Sequence, residues 1–172
     1  PTTAEYPLVV NRSDMLLREV IMADLVAMSV AAQIDGVVLD LSSGYRSYEY
    51  QSGLFQRHVA NLGLEQAKRE SAEPGHSQHQ LGTTIDFGSI TPAFAATDAG
   101  RWLARNAWRY GFSLSYPDGL EEVTGYMYES WHFRFLGRDA TEMEQKFFGG
   151  VQQYFLEFLA ANRSYLAAVF RG

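Results

Sequence analysis

The sequence predicts an α+β fold: a single domain whose central antiparallel sheet is flanked by N- and C-terminal helices. Three observations predict it. The chain has 172 residues, the size of one domain and long enough to bury a core without staples. Apolar residues recur at helical spacing near both ends. Between them lie several short apolar or aromatic runs separated by Gly-, Ser- and Pro-bearing turns, the pattern of strands kept apart from helices. The domain is expected to span 1–172.

Each element has its own signal. Ser13-Asp14 offer an N-cap, and Leu17, Val20, Ile21, Leu25, Met28 and Ala32 follow at helical spacing, so a helix is predicted over 13–34 and ended by Gly36. Residues 37–41 read as a short strand and Ser42-Ser43-Gly44 as the turn after it. Ser47 caps a second helix running to about His58. Residues 61–77 are polar and hold Pro74-Gly75, which predicts a helix fragment and a loop. Residues 83–87 read as a strand. Thr97-Asp98 cap a helix to Tyr110, closed by Gly111. Residues 112–116 and 126–135 read as strands joined by a turn at Pro117-Asp118-Gly119. The C-terminal stretch is helical: Phe147, Val151, Phe155, Phe158 and Leu159 share a face, and Asn162 interrupts before 166–170. That aromatic face reads most simply as core packing, or as a self-association surface.

Composition removes several function classes. Lys plus Arg number 14 and Asp plus Glu 20, a formal charge of −6. Such a surface lacks the basic face that nucleic acid requires, so no nucleic-acid partner is expected. No cysteine is present, which excludes disulfides, thiolate metal sites and cysteine nucleophiles. Any transition-metal site must therefore use His, Asp or Glu. Charges interrupt every apolar stretch, so no transmembrane segment is expected. The chain opens at Pro1 without Met, and a trimmed form that has lost a targeting segment is one reading of that start. Nothing in the pattern fixes an oligomeric state.

Four histidines exist: His58, His76, His79 and His132. His79 and Asp86 are seven apart with Gly82 between them, so a loop histidine and a strand aspartate can meet at one point. Glu129 and His132 are three apart, which on a flat strand places them on opposite faces. A bulge or strand end near Ser130 is needed to bring both to one site. On spacing alone, His132 also reads as a core histidine beside Trp131, and Asp86 as a turn cap. His58 reads as a surface residue on a helix and His76 as a solvated loop residue.

Four linked segments turn this reading toward a metal site. Ser77-x-His79-x-x-Gly82-x-x-x-Asp86 and the later Glu129-x-Trp131-His132 resemble the signature of the VanY-type D-alanyl-D-alanine carboxypeptidases, zinc peptidases of the group that includes lysostaphin-like enzymes and hedgehog domains. Ser43-Gly44-Tyr45-Arg46-Ser47-x-x-x-Gln51 is similar to that family's arginine-bearing turn. Asn106-Ala107-x-x-Tyr110-Gly111-Phe112-x-Leu114-Ser115-Tyr116-Pro117 is similar to its stretch before the last catalytic strand. The resemblance covers roughly residues 15 to 140. Gln78 stands where a Glu is usual, Thr84 where an Ala is usual, and Ser130 where a Pro is common; Thr84 is expected to tighten the pocket.

The resemblance implies a zinc-dependent carboxypeptidase that removes the C-terminal D-alanine of peptidoglycan stem peptides by attack of a metal-activated water. It implies one Zn2+ ion on His79, Asp86 and His132, with a fourth position open. Glu129 is then the general base. Arg46 stabilises the oxyanion and contacts substrate, and Gln51 and Ser77 bind the substrate's polar ends. The family's substrate places the protein outside the cytoplasm, in the envelope, periplasm or medium. An L,D-carboxypeptidase or endopeptidase on the same peptides, or a zinc-containing binding module without catalysis, are the alternatives.

Overall fold

The computed structural model describes residues 6–169. A five-stranded sheet runs in the order β1-β2-β3-β5-β4. Its strands are β1 (Val9–Val10), β2 (Asp40–Ser43), β3 (Thr84–Phe87), β4 (Phe112–Leu114) and β5 (His132–Phe135). The last four pair antiparallel, as expected of the α+β fold. The two-residue edge strand β1 adds a parallel pairing to β2. Among the described residues, eight α-helices surround the sheet: α1 (Met22–Ile34), α2 (Tyr48–Leu62), α3 (Leu64–Glu70), α4 (Asp98–Asn106), α5 (Glu121–Thr124), α6 (Arg138–Phe148), α7 (Gln152–Ala161) and α8 (Arg163–Val169).

The sheet has one apolar and one polar face because side chains alternate along each strand. Ile85 and Phe87 of β3, Phe133 of β5 and Phe112 of β4 join Leu25, Met28 and Ala32 of α1 in one core. Phe87 meets Phe133 edge-on at 5.9 Å between centroids. Fully burying one such side chain stabilises the fold by roughly 1.5–3 kcal/mol. The register Asp86↔His132 and Thr84↔Arg134 puts those four residues on the opposite face. Ser113, opposite Arg134, lies there too. Thus the strands that hold the core together also carry the polar site.

Several expected caps are present. Ser47 Oγ accepts from Tyr50 N to start α2, and Thr97 Oγ1 accepts from Gly100 N to start α4. Gly111 ends the turn after α4 at φ 82°. The first helix differs from expectation. Residues 13–18 are not helical, because their main chain is bonded elsewhere: Tyr45 N donates to Leu16 O and Arg18 N to Gly82 O. Met15 and Leu17 are buried while Leu16 between them is exposed, an extended alternation. Asp14 pairs with Arg12 at 2.6 Å rather than capping a helix. A 3-10 turn at Glu19–Ile21 leads into α1 instead.

Two strands are also displaced from their predicted positions. β2 lies at Asp40–Ser43 rather than 37–41, because Ser43 pairs with Asp86 of β3. Ser42 and Ser43 are thus strand, and the turn begins at Gly44. β5 is only the last four residues of the predicted 126–135 strand, for a reason that belongs to the site. Phe170, the end of the last predicted helical stretch, lies outside the described residues.

Candidate active site

Four segments meet on the polar face. His79 sits in a 3-10 turn, Gln78–Leu81, that ends at Gly82 with φ 68°. That left-handed conformation suits glycine, and it reverses the chain directly into β3. Asp86 on β3 faces His132 at the start of β5. Arg46 follows β2 and is fixed by Arg46 N donating to His79 O. Glu129 lies in a tight turn: Glu129 N donates to Tyr116 O, and His132 N donates to Glu129 O. This turn stops the strand from extending back to residue 126. It also brings Glu129 and His132, three residues apart, to one side, with Glu129 Oε2 3.3 Å from His132 Nδ1.

His79, Asp86 and His132 are all buried, and one ligand atom from each lies within 4.8 Å of the others. The ring nitrogens can be told apart. His79 Nδ1 lies 2.7 Å from Gly44 O. A carbonyl only accepts, so Nδ1 carries the proton and Nε2 the lone pair. His79 Nε2 is 3.2 Å from Asp86 Oδ2 and has no hydrogen-bond partner. His132 Nε2 lies 3.2 Å from Gln78 Oε1, and its Nδ1 lies 3.0 Å from Asp86 Oδ1. Acceptor atoms therefore converge on one buried point. A cation satisfies them together, and two imidazoles with one carboxylate suit a zinc-type ion.

The surrounding charges are set by burial. Asp86 is held below the usual carboxylate range: burial opposes its charge, but the neighbouring His79 and His132 outweigh burial. Arg46 Nη2 adds an ion pair to Asp86 Oδ2 at 2.7 Å. Burial pushes the Glu129 carboxyl up to about 7, with His132 lowering it, Asp86 raising it and Arg46 lowering it. Tyr116, tilted against His132 at 4.9 Å between centroids, has its hydroxyl pushed up by burial and by the Glu129 charge.

A cavity of about 440 Å³ opens over this cluster. Arg46, Gln51, Ser77, His79, Asp86, Glu129 and His132 all line it. Gln51 is 1% exposed; its Nε2 donates to Ser71 Oγ and Ala72 O, while Oε1 has no partner. Trp131 belongs both to the wall and to the core. His76 is exposed, as expected of a solvated loop residue. His58 is not the surface residue expected: it lines the outer cavity, with Nδ1 buried. Thr84 does not narrow the pocket; it is wholly buried, and its hydroxyl donates to Gln78 O at 3.2 Å. Tyr116, Gln78 and the residues behind Gln78 escaped the sequence reading. Gln78 left a signal there as a departure from the family pattern, and Ser115 and Tyr116 lay in the segment similar to the family's stretch before its last catalytic strand, with no site role drawn from it.

Two imidazoles and a carboxylate around one point, with a buried acid beside them and a cavity above, define a mononuclear metal hydrolase type of site. The family described as VanY, D-alanyl-D-alanine carboxypeptidase, matches residues 14–138. The chain belongs to that family. YodJ of Bacillus subtilis (strain 168) is 38% identical over 137 residues, covering 76% of this chain and 50% of YodJ. A D-alanyl-D-alanine carboxypeptidase of Enterococcus faecium is 33% identical over 130 residues, covering 75% of this chain and 40% of the relative. The chain thus spans about half the length of these relatives or less. Among solved structures, the LdcB LD-carboxypeptidase superposes with a TM-score of 0.81 at 32% identity, covering 88% of this chain and 75% of that one. The D,D-pentapeptidase VanY of the VanB-type resistance cassette, an E-to-A mutant in complex with Zn(II), superposes with a TM-score of 0.74 at 29% identity, covering 91% and 93%.

Proposed function

We propose that this protein is a zinc-dependent carboxypeptidase that removes the C-terminal D-alanine of peptidoglycan stem peptides. The observation that carries the reading is the orphaned, buried Nε2 of His79 beside Asp86 and His132, with Glu129 next to it under the cavity. His79, Asp86 and His132 would hold one zinc ion, which would supply Lewis acidity and acidify a water at the site.

The chain's own residues do the rest. Glu129 takes the proton of the attacking water and hands it to the leaving amine nitrogen. A carboxyl raised to about 7 is poised for both transfers near neutral pH. Arg46 engages Ser43 and Asp86 through Nε and Nη2, which leaves the Nη1 donors for the developing oxyanion. Gln51 Oε1 accepts an N–H of the peptide, and Ser77 Oγ contacts a polar end of the substrate.

The likeness to LdcB supports a second reading, cleavage of an L,D bond in a tetrapeptide stem. Product masses from pentapeptide and tetrapeptide stems, with and without chelator, decide between them. The expected result is loss of one D-alanine from the pentapeptide, abolished by chelator and restored by zinc. Turnover of the tetrapeptide alone selects the L,D reading. Bound zinc with turnover of neither peptide selects a binding module. The substrate places the action outside the cytoplasm, and no helix among the described residues is long and apolar enough to cross a membrane.

A further inference from the structure

A second, smaller cavity of about 240 Å³ adjoins the catalytic one, and Tyr128 lines both. Gly100 and Ala104 of α4 leave the room for it, and Arg101, Arg105 and Ser130 supply its polar groups. Ser130 is 5% exposed, and its hydroxyl has no hydrogen-bond partner. A buried donor in that state costs stability until something accepts from it. Position 130 is also one where the resembling family commonly carries Pro, so this hydroxyl is a feature of this chain. Arg101 is tethered, donating to Ala96 O and, at 2.8 Å, to Asp98 Oδ1. The exposed Arg105 guanidinium has no ion-pair or hydrogen-bond partner among the described residues, although the chain carries a net charge of −6.

We infer that this second cavity is an anion subsite, which takes a carboxylate carried by the substrate on the amino-terminal side of the scissile bond. The polar groups decide the sign. A guanidinium only donates and the Ser130 hydroxyl is left free to donate, so the ligand must accept. Asp98 offsets the charge of Arg101, but nothing offsets Arg105, so the ligand carries negative charge. The planar fork of Arg suits the two oxygens of a carboxylate. Leu114 and Phe133 form apolar wall beside these groups, which strengthens a charge pair there relative to open water. The layout ties the cavity to the substrate. Gln51, Ser71 and Ser77 bury part of the catalytic cavity, whereas Ile90 on its lining is 53% exposed. A peptide whose last residue sits deep leaves by the open part. Ile90 and Pro92 border the catalytic cavity and Ala95 the second one, so one short segment, like Tyr128, runs along both.

The inference rests on the carboxypeptidase reading for what the anion belongs to. Two stem pentapeptides test it, identical except at one acidic residue before the scissile bond, which carries a free carboxylate in one and a carboxamide in the other. Turnover gives kcat/KM, and the 1H–15N signals of Arg105 Nε and Ser130 N report binding without turnover. Wild type is expected to favour the carboxylate peptide roughly 3–10-fold, the scale of a partly exposed charge pair reinforced by a hydrogen bond. High salt should shrink that preference. Arg105→Gln, an exposed change that leaves the fold intact, is expected to abolish the preference while turnover of the carboxamide peptide stays as in wild type. Arg105→Glu is expected to reverse it. Equal turnover and equal binding of the two peptides by wild type, or a preference that survives Arg105→Gln, overturns the subsite. Inorganic phosphate that moves the two signals while the peptides behave alike marks a site for free anions and overturns the substrate assignment. Bound zinc with turnover of neither peptide overturns the carboxypeptidase reading, and the binding comparison then decides the subsite by itself.

Discussion

His79 and His132 sit within one buried cluster, but what holds each of them lies at very different distances along the chain. His79 donates straight to the carbonyl of Gly44. Gly44 itself is closely packed: a Cβ there would lie 2.8 Å from Leu16 O and 2.9 Å from Met15 Cγ. His132 instead faces Gln78, which is backed by Ser115 and by Gln152 on α7. The first support is one hydrogen bond to the backbone and lies wholly within residues 14–138. The second is a chain of side chains that ends outside that stretch. A backbone support tolerates little change but needs nothing else. A chain of side chains can be retuned by a substitution remote from the cluster, and its cost is a buried polar network that must stay fully satisfied.

The largest expected effect abolishes the comparison. His79→Ala, Asp86→Ala and His132→Ala should each lose tightly bound zinc, because a site with three protein ligands cannot spare one. Metal analysis of each purified variant checks this, and a full equivalent of zinc on any of them removes that residue from the ligand set.

Glu129→Gln should leave both supports and the metal in place while turnover falls by about 10²–10⁴. Zinc content and stem-peptide hydrolysis measured on one preparation separate a base from a ligand. Retained zinc with lost turnover marks the base. Lost zinc makes Glu129 a fourth ligand.

Gly44→Ala strikes only the His79 side. The new Cβ must push on the Leu16 carbonyl, so the fold should lose about 1–3 kcal/mol, typical of overpacking, and zinc should bind more weakly. Denaturant midpoints with zinc titrations test it. Unchanged values of both would mean that the Gly44 backbone yields freely and that the His79 support is soft.

The smallest effect sharpens the contrast on the His132 side, which carries a buried acid. Ser113 Oγ donates to Glu144 Oε1 at 2.8 Å, and Glu144 Oε2 has no partner. Burial pushes the Glu144 carboxyl up to about 7, against a small downward pull from Ser113. The folded state therefore binds a proton that the unfolded chain, near the ordinary value of about 4.3, releases earlier. Wild type should lose stability as pH rises from about 4.5 through 7, where Glu144→Gln should not. Thermal unfolding of the pair at pH 5 and pH 8 reads it: the gap between the Tm values should move in favour of the glutamine variant at pH 8. A gap independent of pH would mean that Glu144 is ionised throughout.

The legible part of the fold was local. Ser47 and Thr97 start helices in the structure as they do in the sequence, because a cap needs only its own next few residues. The helix predicted from 13 failed for the opposite reason. Leu17, Val20 and Ile21 fit a helical period, but Gly82 and Tyr45 take the backbone bonds that a helix there would need. The strand predicted from 126 failed likewise, since the 129–132 turn is locked by Tyr116 O, which no pattern near Glu129 announces. Gln152 shows the same limit in a side chain. Outside the apolar face of its helix it reads as a solvent residue, yet it is buried against β4.

The sequence by itself determined the α+β class, the absence of cysteine chemistry and the set of residue types able to hold a cation. Those follow from composition, period and motif spacing, which are properties of the chain before it folds. Through its resemblance to a known family it also pointed to seven residues, from Arg46 to His132, that line one cavity. Tertiary structure decided how they meet. It set which nitrogen of His79 faces inward, because the partner that fixes it, Gly44 O, comes from 35 residues away. It raised Glu129 by burial, a property of the packed surroundings and not of the residue. It also turned α7 into part of the site's support, since only the folded sheet brings Ser113, Ser115 and Gln78 to one end of that helix.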